Sequence, residues 1–417
     1  MPKNLEMLDH TIGQLQLPIK MKFVIKAVEG KARAAILKTP HGTVKTPVFI
    51  PCATQATVKA LTPKQLKELK CQIVICNTYH LYLRPGPKQI EKFGGLHKFM
   101  AWEKPIMTDS GGFQAFSLGA ALEHCVGKII PFFPEEQNFN QKKLKPNKSR
   151  VKIFEEGIVF ESAKQILTPE LSIKIQQQLG ADIILALDEC TSPLANYSYT
   201  KAAMERTHRW AVRSLKAYGN TNNQAIFGII QGGEWKDLRE ASAKFISSLP
   251  FDGICIGGSL GKSKSDMLNI LDWIYPYLPN EKPRHLLGIA AIEDIFEAVS
   301  KGIDVFDCIL PTRLARVGYA FVRPESGGSR KNKWRIRIIS SKYKEENKPI
   351  DPRCQCYTCN NFSIGYLRHL FKCKELLAYT LVTYHNLFFY MRLMEEIRKA
   401  IFDKRFEKLK NFWLKTN

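Results

Sequence analysis

The chain has 417 residues, 45% of them hydrophobic and 24% charged, the proportions of a globular chain that can bury a sizeable core in one large domain with appendages or in two ordinary domains. The net charge of +23 predicts a polyanionic partner met through Lys and Arg. Residues 330–417 hold 20 Lys and Arg against 8 Asp and Glu, so more than half of the excess sits in the last fifth, where a nucleic-acid footprint is expected. A secretory signal and a membrane span are excluded: the first twenty residues carry Glu6 and Asp9, and no run approaches the ~20 apolar residues a bilayer requires. The 11 cysteines are odd in number and mostly scattered, which argues against a disulfide framework and for a cytoplasmic protein with reduced thiols.

In chain order, short apolar, β-rich runs recur, each ending in small or polar residues: 48–52, 73–77, 105–109, 183–188, 226–231, 253–258, 285–288 and 305–310. Near-continuous apolar strands are what a parallel sheet covered on both faces requires. Helix signals lie between them. Thr62-Pro63 reads as an N-cap followed by proline at the first helical position, and Thr168-Pro169-Glu170 repeats that signature. Leu171, Ile175 and Leu179 then share one face, and Gly180 ends that helix; residues 292–301 form another, stopped by Gly302. Eight such units predict an α/β fold, a (β/α)8 TIM barrel. The alternative is a doubly wound open sheet, but no G-x-G-x-x-G follows the first strand.

Two segments break the alternation. Residues 137–152 carry six basic residues, no acidic one and Pro146, and read as an exposed insertion. From about Tyr319 a basic, cysteine-bearing stretch is followed by two amphipathic helical segments. The expected organisation is an N-terminal extension (1–22), a catalytic barrel (23–330), and a zinc-binding subdomain with C-terminal helices (331–417).

Cys354, Cys356, Cys359 and His385 form C-x-C-x2-C-x25-H. Three thiols within six residues can wrap one metal ion, and a distant imidazole can complete a tetrahedron. Cys3His is a structural zinc set that leaves no position open for catalysis. The alternatives are ordinary buried residues or a redox Cys-x-x-Cys, which explains neither Cys354 nor the missing thioredoxin-like context.

In a barrel of this kind the chemistry sits where the strands end. Those ends read Asn77-Thr78-Tyr79-His80, Asp109-Ser110-Gly111-Gly112-Phe113-Gln114, Asp188-Glu189-Cys190, Gln231-Gly232-Gly233, Gly257-Gly258-Ser259 and Asp307-Cys308. One aspartate there would pass for a helix cap or a surface charge. Three from three strands, with an amide and paired glycines, read as a site. One carboxylate can attack a sugar C1′ while a second moves protons on the departing base, the logic of retaining glycosidases. A carboxyl of pKa ~3.9 is ionised at neutral pH and ready to attack; a proton-transferring one needs that value raised by burial or by the other acids. A carboxylate can also accept two N–H bonds from the edge of a guanine-like base, and glycines let main-chain N–H groups approach a flat ligand.

At these residues the sequence resembles the tRNA-guanine transglycosylase family in its bacterial form, from about Phe23 to about Phe406. The motifs that carry the resemblance are the Asn77, Asp109, Asp188 and Gly257-Gly258 strand ends, Phe306-Asp307-Cys308-Ile309-Leu310-Pro311-Thr312-Arg313, and the Cys3His spacing. The resemblance implies exchange of the wobble guanine of tRNA for a 7-deazaguanine base in queuosine modification. It implies Asp307 as the nucleophile on the ribose and Asp109, supported by Asn77, as the acid/base. It also implies Asp188, Gln231 and the Gly258 N–H as the readers of the base edge, between Phe113 and Leu287. Thr312, Arg313, Leu314, Ala315 and Arg316 match a segment that grips the flanking uridines, and Gly288, Ile289, Ala290, Ala291, Ile292, Glu293 and Asp294 match a second tRNA-contacting stretch. The target base would be splayed out of the anticodon loop. A structural Zn2+ and a homodimer, with the zinc subdomain near its interface, are implied as well.

The family pattern after the paired glycines is Leu-Ala-Val-Gly-Glu; here it reads Ser259-Leu260-Gly261-Lys262-Ser263, one residue shorter, without the valine and glutamate. A smaller loop predicts room for queuine as well as, or in place of, 7-aminomethyl-7-deazaguanine, whereas Cys190 keeps the bacterial form. Three rival readings stand beside the enzyme. A non-catalytic partner subunit of the same family would be expected to lose the acids. A barrel glycosidase would not need +23. A pure RNA-binding protein would not need three acids facing a polyanion.

Overall fold

The computed structural model describes residues 21–114, 151–161, 166–219, 223–261 and 263–415. The described residues begin with an antiparallel meander that the sequence reading missed: β1 (Lys22–Glu29), β2 (Ala32–Thr39) and β3 (Gly42–Thr46). Leu37 and Val44 of this meander pack with Val48, Ile73, Ile183, Ala225 and Val305, so it plugs the end of the barrel at which the strands begin.

The barrel strands β4 (Val48–Ala53), β5 (Val74–Cys76) and β6 (Ile106–Thr108) come next. A small antiparallel sheet, β7 (Val151–Ile153), β8 (Ile158–Phe160) and β9 (Ile166–Leu167), intervenes. The barrel then continues with β10 (Ile183–Leu185), β11 (Ala225–Ile230), β12 (Gly253–Ile256), β13 (Arg284–Leu286) and β14 (Val305–Cys308). All eight are parallel, and the sheet closes where β14 pairs with β4, Val305 opposite Val48 and Asp307 opposite Ile50. These are the eight runs expected from the sequence, in a TIM-type barrel rather than an open sheet. Of the basic segment 137–152, only Val151 and Lys152 fall among the described residues, at the start of β7.

The helices signalled after Thr62, after Thr168 and at residues 292–301 all form. α1 (Pro63–Glu68) starts from a capping box in which the Thr62 hydroxyl accepts the Gln65 N–H. After β5 come α2 (Thr78–Leu83), α3 (Pro87–Lys92) and α4 (Gly95–Phe99). α5 (Pro169–Leu179) is capped by Thr168 and ended by Gly180 at φ +72°. α6 (Tyr197–Tyr218), α7 (Lys236–Ser248), α8 (Lys264–Ile274), α9 (Ile292–Ser300) and α10 (Leu310–Arg316) follow β10 to β14 in turn.

Beyond the barrel, the hairpin β15 (Tyr319–Phe321) and β16 (Arg335–Arg337) leads to four helices where two amphipathic segments were expected: α11 (Tyr357–Asn361), α12 (Ile364–Lys372), α13 (Leu376–Phe402) and α14 (Phe406–Leu414). The 27-residue α13 lies on the barrel. The Tyr390 ring packs 4.6 Å from Phe49 of β4, and its hydroxyl donates to the Ala290 carbonyl at 2.6 Å. Trp413 of α14 packs on Phe296 of α9. Burying a large side chain of this kind contributes about 2–3 kcal/mol, so these contacts fix the last fifth of the chain to the barrel. No helix among the described residues is long and apolar enough to cross a membrane.

At the plugged end, Asp182 gathers four donors: the His41 N–H (3.0 Å), His41 Nδ1 (2.8 Å), His97 Nε2 (3.1 Å) and the Ile106 N–H (2.8 Å). The two imidazoles stack at 3.6 Å. The three side chains are close enough to hold a cation, but their facing atoms are already used in hydrogen bonds to one another. Burial alone would raise the Asp182 carboxyl; the bonds from His97, the Ile106 N–H and His41 outweigh it and hold it down at about 2. A depressed carboxyl adds stability that is complete above the unfolded pKa of ~3.9 and is lost as pH falls through the folded value. Asp182→Asn is therefore expected to lower stability by about 2 kcal/mol at pH 7, with the deficit closing as the pH is taken toward 2; denaturant unfolding at several pH values measures it.

Candidate active site and metal centre

Parallel strands in a closed barrel deliver their C-terminal ends to one rim. Asp109 follows β6 directly. Its Oδ1 accepts the N–H groups of Thr78 (2.9 Å) and Gly111 (3.2 Å), and its Oδ2 accepts from the Asn77 amide. Asn77 is itself oriented by capping α2, where its Oδ1 accepts the His80 N–H at 2.9 Å. Burial pushes the Asp109 carboxyl up to about 7; the two N–H bonds oppose this, and the Asp307 charge adds to it. A group that titrates near neutral pH can both give and take a proton.

Asp188 stands at the neighbouring strand end, after β10. Gln231 Nε2 donates to its Oδ2 at 2.7 Å and Ser110 Oγ to its Oδ1 at 3.1 Å. Burial raises its carboxyl to about 6 against those two bonds. The packing here leaves no room for side chains. A Cβ on Gly112 would come within 2.5 Å of the Asp188 carbonyl, and one on Gly258, at φ +72°, within 2.1 Å of Gln231 Oε1. That Oε1 is buried and has no hydrogen-bond partner among the described residues. Leu287 borders the Gly257-Gly258 turn, and Phe113 stands 48% exposed at the rim. The Gly258 N–H faces the Cys190 thiol.

Asp307 lies near the end of β14 with its side chain 14% exposed. Its Oδ1 accepts from the Gly288 N–H and from His285 Nε2, both at 2.9 Å, and among the described residues its Oδ2 has the Cys52 thiol, at 3.9 Å, as its one hydrogen-bond partner. The Asp307 charge acts on Asp109, and the charges of Asp188 and Asp307 both act on the Cys255 thiol of β12. All three carboxylates thus line one basin.

Two residues essential to this geometry were not singled out from the sequence. Arg239 of α7 is completely buried and donates from Nε to the Gly233 carbonyl (2.7 Å), from Nη1 to those of Ile230 (3.3 Å) and Gly257 (3.0 Å), and from Nη2 to that of Ser259. In a trans peptide the C=O and the next N–H point opposite ways. Drawing the Gly257 carbonyl back toward Arg239 therefore turns the Gly258 N–H the opposite way, toward the Cys190 thiol. Nothing in the local pattern of α7 separates this arginine from the surface arginines of other helices. His285 had a signal: it is two residues before Leu287 on one strand, hence on the same face.

The second tRNA-contacting stretch is largely enclosed. Ile289, Ala290, Ile292 and Asp294 are buried, Gly288 and Glu293 are half-buried, and Ala291 is exposed. In the other stretch Thr312 and Ala315 are buried, Leu314 and Arg316 are half-buried, and Arg313 is exposed on α10.

The metal set comes together as its spacing predicts. The Sγ atoms of Cys354, Cys356 and Cys359 lie 3.7, 3.5 and 3.3 Å from His385 Nδ1, and the four ligand atoms are all within 4.8 Å of one another. His385 Nε2 donates to the Phe321 carbonyl at 2.7 Å, which leaves the Nδ1 lone pair for an ion. Tetrahedral bonds of ~2.3 Å to sulfur and ~2.05 Å to nitrogen require S···N separations of about 3.6 Å, so the set fits a metal ion.

A closed barrel with one acid poised near neutrality, a second that can face a base edge and a third with a free oxygen defines a group-transfer enzyme of the (β/α)8 class. Comparison with known proteins is consistent with this. The family model for queuine tRNA-ribosyltransferase matches residues 29–417. The chain is 50% identical over 401 residues to a putative queuine tRNA-ribosyltransferase of Archaeoglobus fulgidus, covering 94% of this chain and 99% of that one. It is 47% identical over 402 residues to the queuine tRNA-ribosyltransferase of Caldanaerobacter subterraneus subsp. tengcongensis (95% and 97%), and 44% over 402 residues to that of Aquifex aeolicus (94% and 98%). The chain belongs to the queuine tRNA-ribosyltransferase family, the tRNA-guanine transglycosylases, and is a pentosyltransferase.

Removing the Arg239 anchor without emptying its space is expected to blur base recognition. Arg239→Met should raise the KM for free guanine about tenfold or more while the KM for tRNA stays within a factor of about two, as steady-state exchange of labelled guanine would measure.

Proposed function

We propose that the chain exchanges the wobble guanine of tRNA for a 7-deazaguanine base by double displacement, with Asp307 as nucleophile, Asp109 as acid/base and Asp188 as reader of the base. The observation that carries this reading is that three carboxylates on one rim are held in three different ways. Asp307 keeps an oxygen facing the basin; Asp109 titrates at about 7; Asp188, at about 6, is an acceptor at neutral pH.

In the first displacement an Asp307 oxygen bonds to ribose C1′, the C1′–N9 bond breaks, and its electron pair leaves on guanine, which takes the proton of Asp109. In the second, the incoming base gives its N9 proton to Asp109 and its nitrogen bonds to C1′, while the electrons of the Asp307–C1′ bond return to the carboxylate. Asp188, with the Gln231 amide and the Gly258 N–H, would hold the guanine-like edge between Phe113 and Leu287. The loop Ser259-Leu260-Gly261-Lys262-Ser263, one residue shorter than the family pattern and without its valine and glutamate, supports queuine as an incoming base beside 7-aminomethyl-7-deazaguanine.

The tRNA anticodon loop would reach the rim past Arg313 and Arg316. A cleft of about 540 Å³ lined by Arg335, Arg337, Lys342, Tyr343 and Lys372 supports a phosphate footprint in the basic C-terminal segment. The rings of Tyr357, edge-on to Phe362, and of Tyr366, stacked on it, both exposed, support a homodimer contact beside the metal centre. The Cys3His donor set favours zinc over harder cations, and a closed set supplies folding energy rather than chemistry. A tRNA substrate also places the enzyme in the cytoplasm.

Incubation with tRNA followed by denaturing electrophoresis should give a protein–tRNA adduct that free guanine discharges, and Asp307→Asn should give none. An adduct that survives in Asp307→Asn would reject that residue as the nucleophile. Metal analysis should give about one zinc per chain, and Cys359→Ser should lose it together with several degrees of Tm.

A further inference from the structure

The two oxygens of Asp307 are not equivalent. Oδ1 takes two strong donors, the Gly288 N–H and His285 Nε2, each at 2.9 Å. These fill the acceptor directions of one carboxylate oxygen. Oδ2 meets only the Cys52 thiol at 3.9 Å, and burial, with the Asp307 charge added, raises that thiol's pKa so that it stays a weak S–H partner. The imidazole is pinned from behind. His285 is completely buried in β13, and its Nδ1 faces the Cys255 thiol at 3.8 Å, a group that burial likewise keeps protonated. A carboxylate only accepts, so Nε2 carries the proton donated to Oδ1, and Nδ1 offers its lone pair to the Cys255 S–H.

We infer that His285 is a positioning residue for the nucleophile: with Gly288 it locks Oδ1 and dedicates Oδ2 to attack on C1′. This rests on the covalent reading of Asp307. When Oδ2 bonds to C1′, Oδ1 becomes the carbonyl oxygen of the resulting ester, and both donors stay in place. When the incoming base displaces the ester, the bonding pair returns to the carboxylate and its charge spreads onto Oδ1. A hydrogen bond to a carboxylate is about twice as strong as one to a neutral carbonyl. The pair Gly288–His285 therefore favours the free carboxylate over the ester. It aligns the attacking oxygen in the first displacement and stabilises the leaving carboxylate in the second. No metal and no further acid is needed for this.

Two variants separate these effects from a packing role. His285→Leu fills the space and removes the donor; His285→Gln keeps an N–H. For His285→Leu, kcat is expected to fall about tenfold, with the KM for tRNA unchanged. The concentration of free guanine that discharges half of the tRNA adduct is expected to rise about fivefold. His285→Gln should bring the discharge midpoint back toward that of the unsubstituted enzyme and recover part of kcat. Should His285→Leu fail to fold in a thermal melt, Cys255→Ala, which leaves the imidazole in place but unpinned, is expected to move both quantities in the same direction by a smaller factor. Unchanged kcat and discharge midpoint in the folded variants would overturn the inference alone. So would a loss of activity matched by a loss of folded protein with the midpoint unmoved. Absence of any adduct with the unsubstituted enzyme would overturn the covalent reading, and the inference with it.

Discussion

Three carboxylates share one barrel rim, and the burial of two of them, Asp109 and Asp188, is the constraint around which that rim is organised. A buried carboxylate persists only when donors take the place of water. The rim supplies them unevenly. Asp109 has two main-chain N–H groups and an amide, yet burial still lifts it to about 7. Asp188 has an amide and a hydroxyl, and rises to about 6. Asp307 has an N–H and an imidazole, both on one oxygen. The different donor sets give three chemically identical side chains three different environments.

The donors are themselves fixed by ordinary secondary structure. Asn77 serves Asp109 because it also starts α2. The Gly258 N–H is aimed by the peptide plane whose carbonyl Arg239 holds, and Arg239 is in turn anchored near the start of α7. Even the metal centre connects to the rim. His385 bonds to the Phe321 carbonyl, and the next residue, Asn386, donates to the carbonyls of Pro311 and Tyr319 and accepts the Phe321 N–H. Pro311 opens α10, just after β14. The turn of α13 that carries His385 thereby also holds the start of α10, the helix on which Arg313 is exposed.

The parts of this architecture that repeat were legible in the sequence. Eight apolar runs with polar ends gave the barrel strands, because parallel strands buried on both faces cannot alternate. Thr62, Thr168 and Gly180 marked helix ends by local chemistry alone, and four metal ligands announced themselves by spacing. The meander of β1 to β3 escaped because β1 is half-buried along its length and its apolar residues follow no clean period. Arg239 escaped because burial of a charged side chain depends on carbonyls from four loop and strand-end residues that come together only in the fold. The stretch from Gly288 to Asp294 shows the opposite limit: a sequence match carries residue positions but not exposure, and four of its seven residues are buried.

Asp182 and Asp307 make the same physical point at opposite ends of the barrel. Each is a carboxylate bonded by histidine and by main-chain N–H groups. Asp182 has donors on both oxygens from three different elements, and it is held far down in pKa as a joint between the meander, α4 and β6. Asp307 has its donors on one oxygen only, and it stands where the strands end rather than where they begin. A carboxylate satisfied on both sides is a structural joint, because any new bond would cost an existing one. A carboxylate satisfied on one side is held as firmly but keeps a lone pair to spend. The number of donors per oxygen, more than the total number, is therefore what distinguishes Asp182, bonded on both oxygens, from Asp307, whose second oxygen meets a thiol at 3.9 Å.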